Sequence, residues 1–270
     1  VPWSPRWQRI GLSAWRDYPD RSQLLLRQRL AALHSLESSF LLPGNGAAEL
    51  FTWAARDAVE QGSSVLPAPG FADYGRALRC WSGGYRQQQL PLLWEEGFPQ
   101  PFPDAGEGSV LWICNPHNPT GQYFTRKTLL SLIDDNPQTC FMIDESDLAL
   151  VDLDSSNSLV PTIRPNLIVL RTLAESHGWP GLGPSYLVTG NLDLLAFLSK
   201  RFSATSISGW LQQIGLELVH QEPTVQREEL ADLRQEILPQ LQCHSHLKII
   251  PGNAPYNLFQ ITSELLAPLR

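Results

Sequence analysis

The stretch SVLWICNPHNPTG, residues 109–121, joins a short apolar run to a loop of conformationally restricted residues. The apolar run predicts a strand that is buried on both faces. Two prolines restrict the loop backbone and hold His117 and Asn118 rigidly at the end of that strand. A simple turn rarely needs so many restricted residues, so this stretch indicates a binding site. His117 has no partner at metal-ligand spacing, so we do not expect it to bind a metal.

A similar arrangement follows downstream. The apolar run 139–143 predicts a second buried strand, which ends in Asp144 and Glu145. Two further apolar runs enclose a polar loop that contains Glu175 and His177. A carboxylate at the end of a buried strand is costly unless it is paired with a cation or hydrogen-bonded. Asp144 and Glu145 are therefore either a solvated pair of acids or part of a charged site, and the sequence leaves both interpretations open.

Two motifs in the first third of the chain could contact a ligand. GNGAAE, residues 44–49, leads directly into a predicted helix, whose free amides and positive dipole end favour a bound phosphate. The same glycines could equally cap the helix without a ligand. PGFADY, residues 69–74, places Phe71 and Tyr74 three positions apart at the start of a helix, where a flat cofactor could stack on one of them. Alternatively, both rings belong to the core.

The order of the elements predicts the fold class. Buried strands that alternate with helices indicate an α/β fold with a mostly parallel sheet. Ligands of such sheets bind at the carboxyl ends of the strands, where the polar clusters of this chain fall. We predict strands at 63–67, 109–114, 139–143, 167–170, 186–189, 247–250 and 255–261, and helices at 21–34, 47–61, 71–81, 125–135, 191–202, 207–220 and 224–242. Residues 1–20 are predicted to be irregular, and 41–46 to be a turn.

Composition excludes several classes of protein. The formal charge of −7 argues against a nucleic-acid partner or an anionic membrane surface. The sequence has no apolar run long enough for a membrane span and no secretory signal pattern. Its four cysteines are scattered, and we expect them to be small buried side chains in a reducing cytoplasm. Because the first residue is Val1, we expect a fragment or a processed product.

Read together, these stretches resemble the fold-type-I pyridoxal-phosphate enzymes of aminotransferase class I/II. The greatest similarity is to the threonine-phosphate decarboxylases of cobalamin synthesis and to the histidinol-phosphate aminotransferases. The resemblance covers nearly the whole chain in the family's order, and its motifs are YPD (18–20), GNGAAE (44–49), PGFADY (69–74), NPHNPTG (115–121), DE (144–145) and RTLAESHGWPGL (171–182). It implies a three-layer α/β/α large domain at 38–205 and a truncated α+β small domain formed by 1–37 and 206–270.

The resemblance also implies a cofactor, pyridoxal 5′-phosphate, and a dimer. The amides of Gly46, Ala47 and Ala48 would hold the cofactor phosphate. Tyr18 would reach the phosphate bound to a neighbouring subunit. The partner would then be a second copy of this chain in a homodimer, or a paralogue in a heterodimer.

Three further residues would hold the cofactor ring, according to the same resemblance. Phe71 would stack on the pyridine, and Asn118 would bond its 3-hydroxyl. Asp144 would pair with the ring nitrogen and keep it protonated, which allows the ring to act as an electron sink. A small amino-acid-like or phosphate-bearing ligand is the expected substrate class.

The chain departs from the family pattern at the centre of the site. Glu175 stands at the Schiff-base lysine, Ala174 at the preceding hydroxyl residue and Gly183 at the phosphate-binding arginine. Asp147 replaces an aromatic residue near the 3-hydroxyl. Glutamate can neither form an imine nor supply the amine that moves the substrate proton. Covalent attachment of the cofactor is therefore not expected, and we assign no catalytic residue.

The charge of the site changes as well. Relative to the family pattern it loses two positive charges and gains one negative charge, and one such contact at 4 Å is worth about 4 kcal/mol at an effective dielectric near 20. Cofactor affinity should therefore fall, although protonation of Glu175 would reduce the loss. The three lysines, Lys127, Lys200 and Lys248, lie on predicted surface elements and cannot substitute.

Three functions remain open. The chain is a non-catalytic binding or regulatory homologue, an active pyridoxal-phosphate enzyme of altered chemistry, or a decayed gene product. The family continues to an arginine that binds the substrate carboxylate, and we expect this chain, which ends at Arg270, to lack that arginine. The clustered replacements favour the non-catalytic homologue.

Overall fold

The computed structural model describes residues 13–90, 106, 108–152, 156–173, 175–203, 205–221 and 227–261. Its helices are α1 (Ser13–Arg16), α2 (Leu24–Leu33), α3 (Ala47–Gln61), α4 (Asp73–Arg79), α5 (Arg126–Asp135), α6 (Leu192–Arg201), α7 (Gly209–Val219) and α8 (Arg227–Gln242). Its strands are β1 (Leu41–Asn45), β2 (Ser64–Ala68), β3 (Tyr85–Gln89), β4 (Val110–Cys114), β5 (Cys140–Asp144), β6 (Leu167–Thr172), β7 (Pro184–Thr189), β8 (Leu247–Ile249) and β9 (Phe259–Ile261).

Seven strands form one sheet in the order β1-β7-β6-β5-β4-β2-β3. The pairs from β6 to β3 are parallel, whereas β7 runs antiparallel to both of its neighbours. The predicted α/β fold with a mostly parallel sheet is therefore confirmed. The strands β8 and β9 form a separate antiparallel pair. The division of the chain into a large and a small domain stays a prediction.

Alternating side chains of the central strands build a hydrophobic core on each face of the sheet. On β4, Leu111 and Ile113 belong to the cluster that includes residues of α2, α5 and α7. Val110 and Trp112 belong to the other cluster, with residues of α3, α4 and α6. Both faces of the strand are buried, as the continuous apolar run predicts. The sheet is therefore the middle layer between two layers of helices.

Local sequence explains the limits of several helices. Thr125 caps α5, because its hydroxyl oxygen accepts a hydrogen bond from the backbone N–H of Thr128 at 3.2 Å. Asn191 and Ser208 cap α6 and α7 in the same way. These caps satisfy backbone donors that have no partner within the helix.

Leu41–Asn45 form a strand where a turn is predicted over 41–46. Leu41 and Leu42 are buried, and β1 pairs with β7 at the edge of the sheet. Pro43 is tolerated there because an edge strand needs only half of its backbone groups for pairing. Gly44 allows α3 to pack against the strand, since a Cβ at this position would lie 2.4 Å from the Leu50 side chain. The prediction of a turn was wrong because it relied on Pro and Gly alone.

Two other expectations need correction. The polar segment YRQQQ forms the unpredicted strand β3, which is held at the other sheet edge by backbone pairing with β2. Cys114 is buried and Cys140 is half-buried, so the expectation that all four cysteines are buried is confirmed for Cys114 alone. Cys80 and Cys243 are exposed. Both lie at the ends of helices, where a small side chain has no core to enter. Residues 1–12 lie outside the described part of the chain, and α1 is helical within the segment predicted to be irregular.

Among the described residues, no helix is both long enough and apolar enough to cross a membrane.

Candidate functional site

The register of the sheet brings four sequence motifs together at one end of the strands, which we call the site edge. Cys114 at the end of β4 lies opposite Asp144 at the end of β5, which in turn lies opposite Leu170 of β6. At the neighbouring strands, Asn45 of β1 lies opposite Pro184 of β7. The loops that follow β1, β4, β5 and β6 therefore meet at one place, as the rule for parallel sheets predicts.

Asp144 is the most completely bonded polar side chain of this edge. It is buried, and its Oδ2 accepts a hydrogen bond from the Tyr74 hydroxyl at 2.6 Å. Its Oδ1 accepts from the backbone N–H of Ser146 at 2.9 Å and from the Ser146 hydroxyl at 2.6 Å. Burial raises the pKa of Asp144, and these donors oppose that rise. The carboxylate is thus held in one orientation at the end of β5.

The motif PGFADY places the Tyr74 hydroxyl on Asp144 and packs the Phe71 ring against the Tyr74 ring. The ring of Phe71 lies 5.4 Å from the Tyr74 ring and 6.2 Å from the Phe51 ring, in edge-on geometry in both cases. Tyr74 is buried, whereas Phe71 is 37% exposed. The two aromatics of the motif therefore differ in role. Tyr74 positions the carboxylate, and Phe71 keeps an accessible ring face.

The NPHNPTG loop is rigid because its own side chains bond its backbone. The Asn115 side chain accepts from the backbone N–H of Phe124 at 2.8 Å and donates to its carbonyl at 3.0 Å. His117 Nδ1 lies 2.8 Å from the Thr120 hydroxyl, and burial lowers the pKa of His117 to about 4. The backbone amide of Asn118 faces the sulfur of Cys114, which places Asn118 beside Asp144. Asn118 is half-buried, so its side chain is the accessible polar group of the loop.

A C-terminal loop covers this edge. The carbonyl of Gly121 accepts hydrogen bonds from the backbone N–H groups of Asn253 and Ala254 at 2.6 and 3.0 Å. The Tyr256 hydroxyl donates to Asp147 Oδ2 at 3.1 Å. Burial and the neighbouring Asp144 raise the pKa of Asp147. A tyrosine from the far end of the chain therefore adjoins the position where the family pattern has an aromatic residue.

The first turn of α3 forms the opposite end of the site. Gly46 has φ +83°, a backbone conformation that favours glycine, and Ala47 and Ala48 follow it into the helix. Glu49 turns back to accept a hydrogen bond from the backbone N–H of Asn45 at 2.7 Å, and burial raises its pKa. The remaining amides of the first turn have no partner within the helix. Such a turn can bind an anion.

Gly183 lies directly against this turn. A Cβ at Gly183 would lie 3.2 Å from the Cα of Gly46, and the φ of Gly183 is +47°. The position that the resemblance assigns to a phosphate-binding arginine is therefore adjacent to the α3 N-terminus. It is occupied by a residue without a side chain.

Glu175 begins a short 3₁₀ turn between β6 and β7. Its carboxyl group accepts a hydrogen bond from the Thr172 hydroxyl. Burial raises the pKa of Glu175 to about 7, and the charges of Asp147 and Asp144 contribute. The turn that begins at Glu175 contacts the turn that follows Asp147, so carboxyl groups that follow β5 and β6 lie on neighbouring turns. Ala174, the other replacement in this loop, lies outside the described residues.

Glu145 and His177 have structural roles. Glu145 accepts hydrogen bonds from the Ser158 hydroxyl at 2.6 Å and from the backbone N–H of Leu159 at 2.7 Å, and Arg171 lies 3.8 Å away. The interpretation of Asp144 and Glu145 as a solvated acid pair is wrong, because both are buried. His177 is buried and lies 2.7 Å from the carbonyl of Leu173.

The lysines of the chain lie on other elements than the loops that carry Asp144, Asp147 and Glu175. Lys127 on α5, Lys200 on α6 and Lys248 on β8 are the only lysines of the chain, and all three are exposed. Among the described residues, no group of three or more His, Cys, Asp or Glu side chains is arranged to hold a metal ion. Asp144, Asp147 and Glu175 thus form an acidic cluster that contains no lysine.

The hydrogen-bonding groups of the site fit the ring and the phosphate of a pyridoxal-type cofactor, but they offer no partner for covalent attachment of its aldehyde. The buried Asp144 can accept from a protonated ring nitrogen, Phe71 offers a ring face, and the α3 amides can receive a phosphate. Glu175 offers no nucleophilic amine for an aldehyde. The site therefore suits non-covalent binding.

The model of the aminotransferase class I and II family matches residues 12–266. The chain belongs to this family. Its members depend on pyridoxal phosphate. The resemblance drawn from the sequence motifs is thus confirmed, and so is the three-layer α/β/α architecture of the large domain.

Two relatives match this chain over only part of their own length. The threonine-phosphate decarboxylase of Salmonella typhimurium is 29% identical over 261 residues, which are 92% of this chain and 69% of the relative. The histidinol-phosphate aminotransferase of Leuconostoc citreum is 31% identical over 176 residues, which are 63% of this chain and 49% of the relative. The chain thus spans between about half and about two thirds of these relatives.

Solved structures share the fold. The L-threonine-O-3-phosphate decarboxylase of Porphyromonas gingivalis has a TM-score of 0.78 at 22% identity, covering 95% of this chain and 77% of that protein. The histidinol-phosphate aminotransferase of Sinorhizobium meliloti, solved in complex with pyridoxal-5′-phosphate, has a TM-score of 0.74 at 19% identity, covering 92% of this chain and 68% of that protein.

Reasoning from the sequence missed three contacts of the family site. The bond from Tyr74 to Asp144 and the cover by Tyr256 join residues that are far apart in the chain. Ser146 was not singled out, although a serine two positions after an aspartate is a usual local hydrogen-bond donor. The phenylalanine–tyrosine spacing of PGFADY was the one signal that could have indicated Tyr74.

Proposed function

We propose that this chain is a non-catalytic member of the family that binds a pyridoxal-type cofactor without a covalent bond. The observation that carries the proposal is Glu175, which occupies the lysine position beside Asp144 and Asp147. Every lysine of the chain is exposed, on α5, α6 or β8. The residues that support binding are retained, whereas the residue that would attach the cofactor is replaced.

Each retained residue has a defined task in this proposal. Bound cofactor supplies an electron-poor pyridinium ring. Asp144 would accept the hydrogen bond of the ring nitrogen, because Tyr74 and Ser146 fix its carboxylate in place. Phe71 would cover one face of the ring, and Asn118 would bond its 3-hydroxyl.

The phosphate end has its own residues. The amides of Gly46, Ala47 and Ala48 would hold the phosphate at the N-terminus of α3. Gly183 removes the guanidinium that the family pattern places there, so we expect weaker binding than an arginine at this position would provide. The Glu49 carboxylate does not block the turn, because it is engaged by Asn45.

We propose that the protein forms a dimer through the segment around Tyr18. Of ten exposed large hydrophobic side chains among the described residues, five lie between positions 15 and 33, and Tyr18 is 91% exposed. Such a concentration is typical of an interface. The partner is a second copy or a paralogue, and sedimentation of the purified chain distinguishes a dimer from a monomer.

The experiment that tests the proposed function uses the purified protein and pyridoxal phosphate. Tryptophan fluorescence is titrated to measure binding, and the mixture is then reduced with borohydride and digested for mass spectrometry. We expect saturable binding and no stoichiometric lysine adduct. A stoichiometric adduct at one lysine, formed in parallel with saturation, would show that the cofactor is held covalently and would refute the proposal.

A second candidate function is acid–base catalysis by Glu175. It is favoured by the pKa of about 7, which is close to the optimum for a general acid or base. Turnover of threonine phosphate or histidinol phosphate by the wild-type protein, abolished in Glu175→Gln, would support this candidate over the non-catalytic one.

A further inference from the structure

The centre of the proposed cofactor site carries a charge opposite to that of a lysine. Glu175 begins a turn that contacts the turn following Asp147, and Asp144 ends the strand before that turn. Each carboxyl group accepts a hydrogen bond from a different hydroxyl group: Glu175 from Thr172, Asp147 from Tyr256 and Asp144 from Tyr74. A ligand that brings a cation to this place would relieve the mutual repulsion of the carboxylates.

We propose that the site selects the amine form of the cofactor, pyridoxamine 5′-phosphate, over the aldehyde form, with the Glu175 carboxylate paired to the ammonium group on C4′. The inference rests on the proposed function, since it specifies the ligand of the same site. In the family pattern, an amine of the protein meets an aldehyde of the cofactor. In this chain the carboxylate of the protein would face an ammonium group of the cofactor, so the protein supplies the negative charge and the cofactor the positive charge.

The chemistry of the two forms makes the selection specific. The amine form carries an ammonium group near neutral pH, and it can donate charge-assisted hydrogen bonds to a carboxylate. At pH 8, the pH of the titrations below, a Glu175 with a pKa of about 7 is largely ionised, and the aldehyde form offers it only a carbonyl oxygen, which is an acceptor opposite another acceptor. No bond is made or broken, so the interaction needs no further reactant.

Three ligands with the same ring and phosphate test the proposal. They are pyridoxamine phosphate, pyridoxal phosphate and pyridoxine phosphate, which carries a neutral hydroxymethyl group at C4′ and cannot form an imine. Calorimetric titration of the wild-type protein at pH 8 should give an affinity for the amine form at least about tenfold above that for the hydroxymethyl form. The hydroxymethyl form is the matched control, because it differs from the amine form only in the group that faces Glu175.

The variant Glu175→Gln removes the charge and keeps the size of the side chain. It should reduce the affinity for pyridoxamine phosphate about tenfold and leave that for pyridoxine phosphate unchanged. The exposed Glu217→Gln on α7 is the control variant and should alter neither affinity. Circular dichroism of each variant establishes that it is folded.

The outcomes separate the two proposals. Binding of all three ligands with equal affinity, or tighter binding of the aldehyde form, overturns the selection but leaves non-covalent binding intact. A preference for the amine form that survives Glu175→Gln overturns the assignment to Glu175. If the folded protein binds none of the three, the proposed function fails together with the inference.

Discussion

Replacing Glu175 by glutamine should stabilise the protein at high pH and leave its stability unchanged at low pH. Burial raises the pKa of Glu175 to about 7, so the folded state holds a proton that the unfolded state releases at a lower pH. A carboxyl group with a raised pKa favours folding at pH values below its unfolded pKa. This contribution to folding is lost as the pH rises through the folded pKa of about 7. Above that pH, Glu175 is ionised in both states, and its partly buried charge destabilises the folded state relative to a neutral glutamine.

The magnitude follows from the size of this rise. A rise from 4.5 to about 7 corresponds to about 3 kcal/mol of free energy. Glu175 is half-buried, so solvent screening reduces the difference to about 1–2 kcal/mol. Glutamine keeps an oxygen that can accept from the Thr172 hydroxyl. We therefore expect Glu175→Gln to be about 1–2 kcal/mol more stable than the wild type at pH 8, and equally stable at pH 4.

The assay is urea unfolding followed by tryptophan fluorescence, on both proteins at a series of pH values. The exposed Glu217→Gln serves as control and should change the free energy of unfolding by less than about 0.5 kcal/mol at every pH. A Glu175→Gln variant whose stability follows that of the wild type in parallel from pH 4 to pH 8 would refute the reasoning, since Glu175 would then ionise as an exposed side chain does.

Two further substitutions test the structure around the acidic cluster. Gly183→Ala should lower the free energy of unfolding by about 1–2 kcal/mol, because the φ of +47° disfavours any Cβ. The control Gly181→Ala meets no atom within 4 Å and should be neutral, and equal melting temperatures of the two variants would contradict the prediction. Tyr74→Phe should lower the free energy of urea unfolding by about 1–2 kcal/mol, because Asp144 loses a buried donor. The control Tyr85→Phe removes an exposed hydroxyl contact and should cost less than about 0.5 kcal/mol, and equal costs would show that the Tyr74 hydroxyl contributes little.

The central strands could be predicted from the sequence because each is a continuous apolar run. Leu111 and Trp112 point to opposite faces of β4, and both are buried, so periodicity was not needed to recognise the strand. The edge strands β1 and β3 were missed for the opposite reason. The polar side chains of β3 are half-buried or exposed, and backbone pairing with β2 holds the strand. In β1 the apolar Leu41 and Leu42 are followed by Pro43 and Gly44, which are typical of turns.

The candidate site divides in the same way. Its motifs follow strand ends, and the rule for parallel sheets brings Asn118 and Asp144 together without any knowledge of distances. The contact of Tyr256 with Asp147 joins residues that are 109 positions apart, and no local pattern announces it. The close approach of Gly183 to Gly46 depends on the antiparallel pairing of β1 with β7, which the sequence did not predict.

The central claim is that the residues proposed to hold the cofactor ring and phosphate are retained, and that Glu175, at the position of the family's lysine, prevents covalent attachment. Its most direct test is the variant Glu175→Lys, incubated with a high concentration of pyridoxal phosphate, reduced with borohydride and mapped by peptide mass spectrometry. The account predicts a stoichiometric adduct at position 175 of the variant and none at any lysine of the wild type. A folded variant without an adduct at position 175 would contradict it.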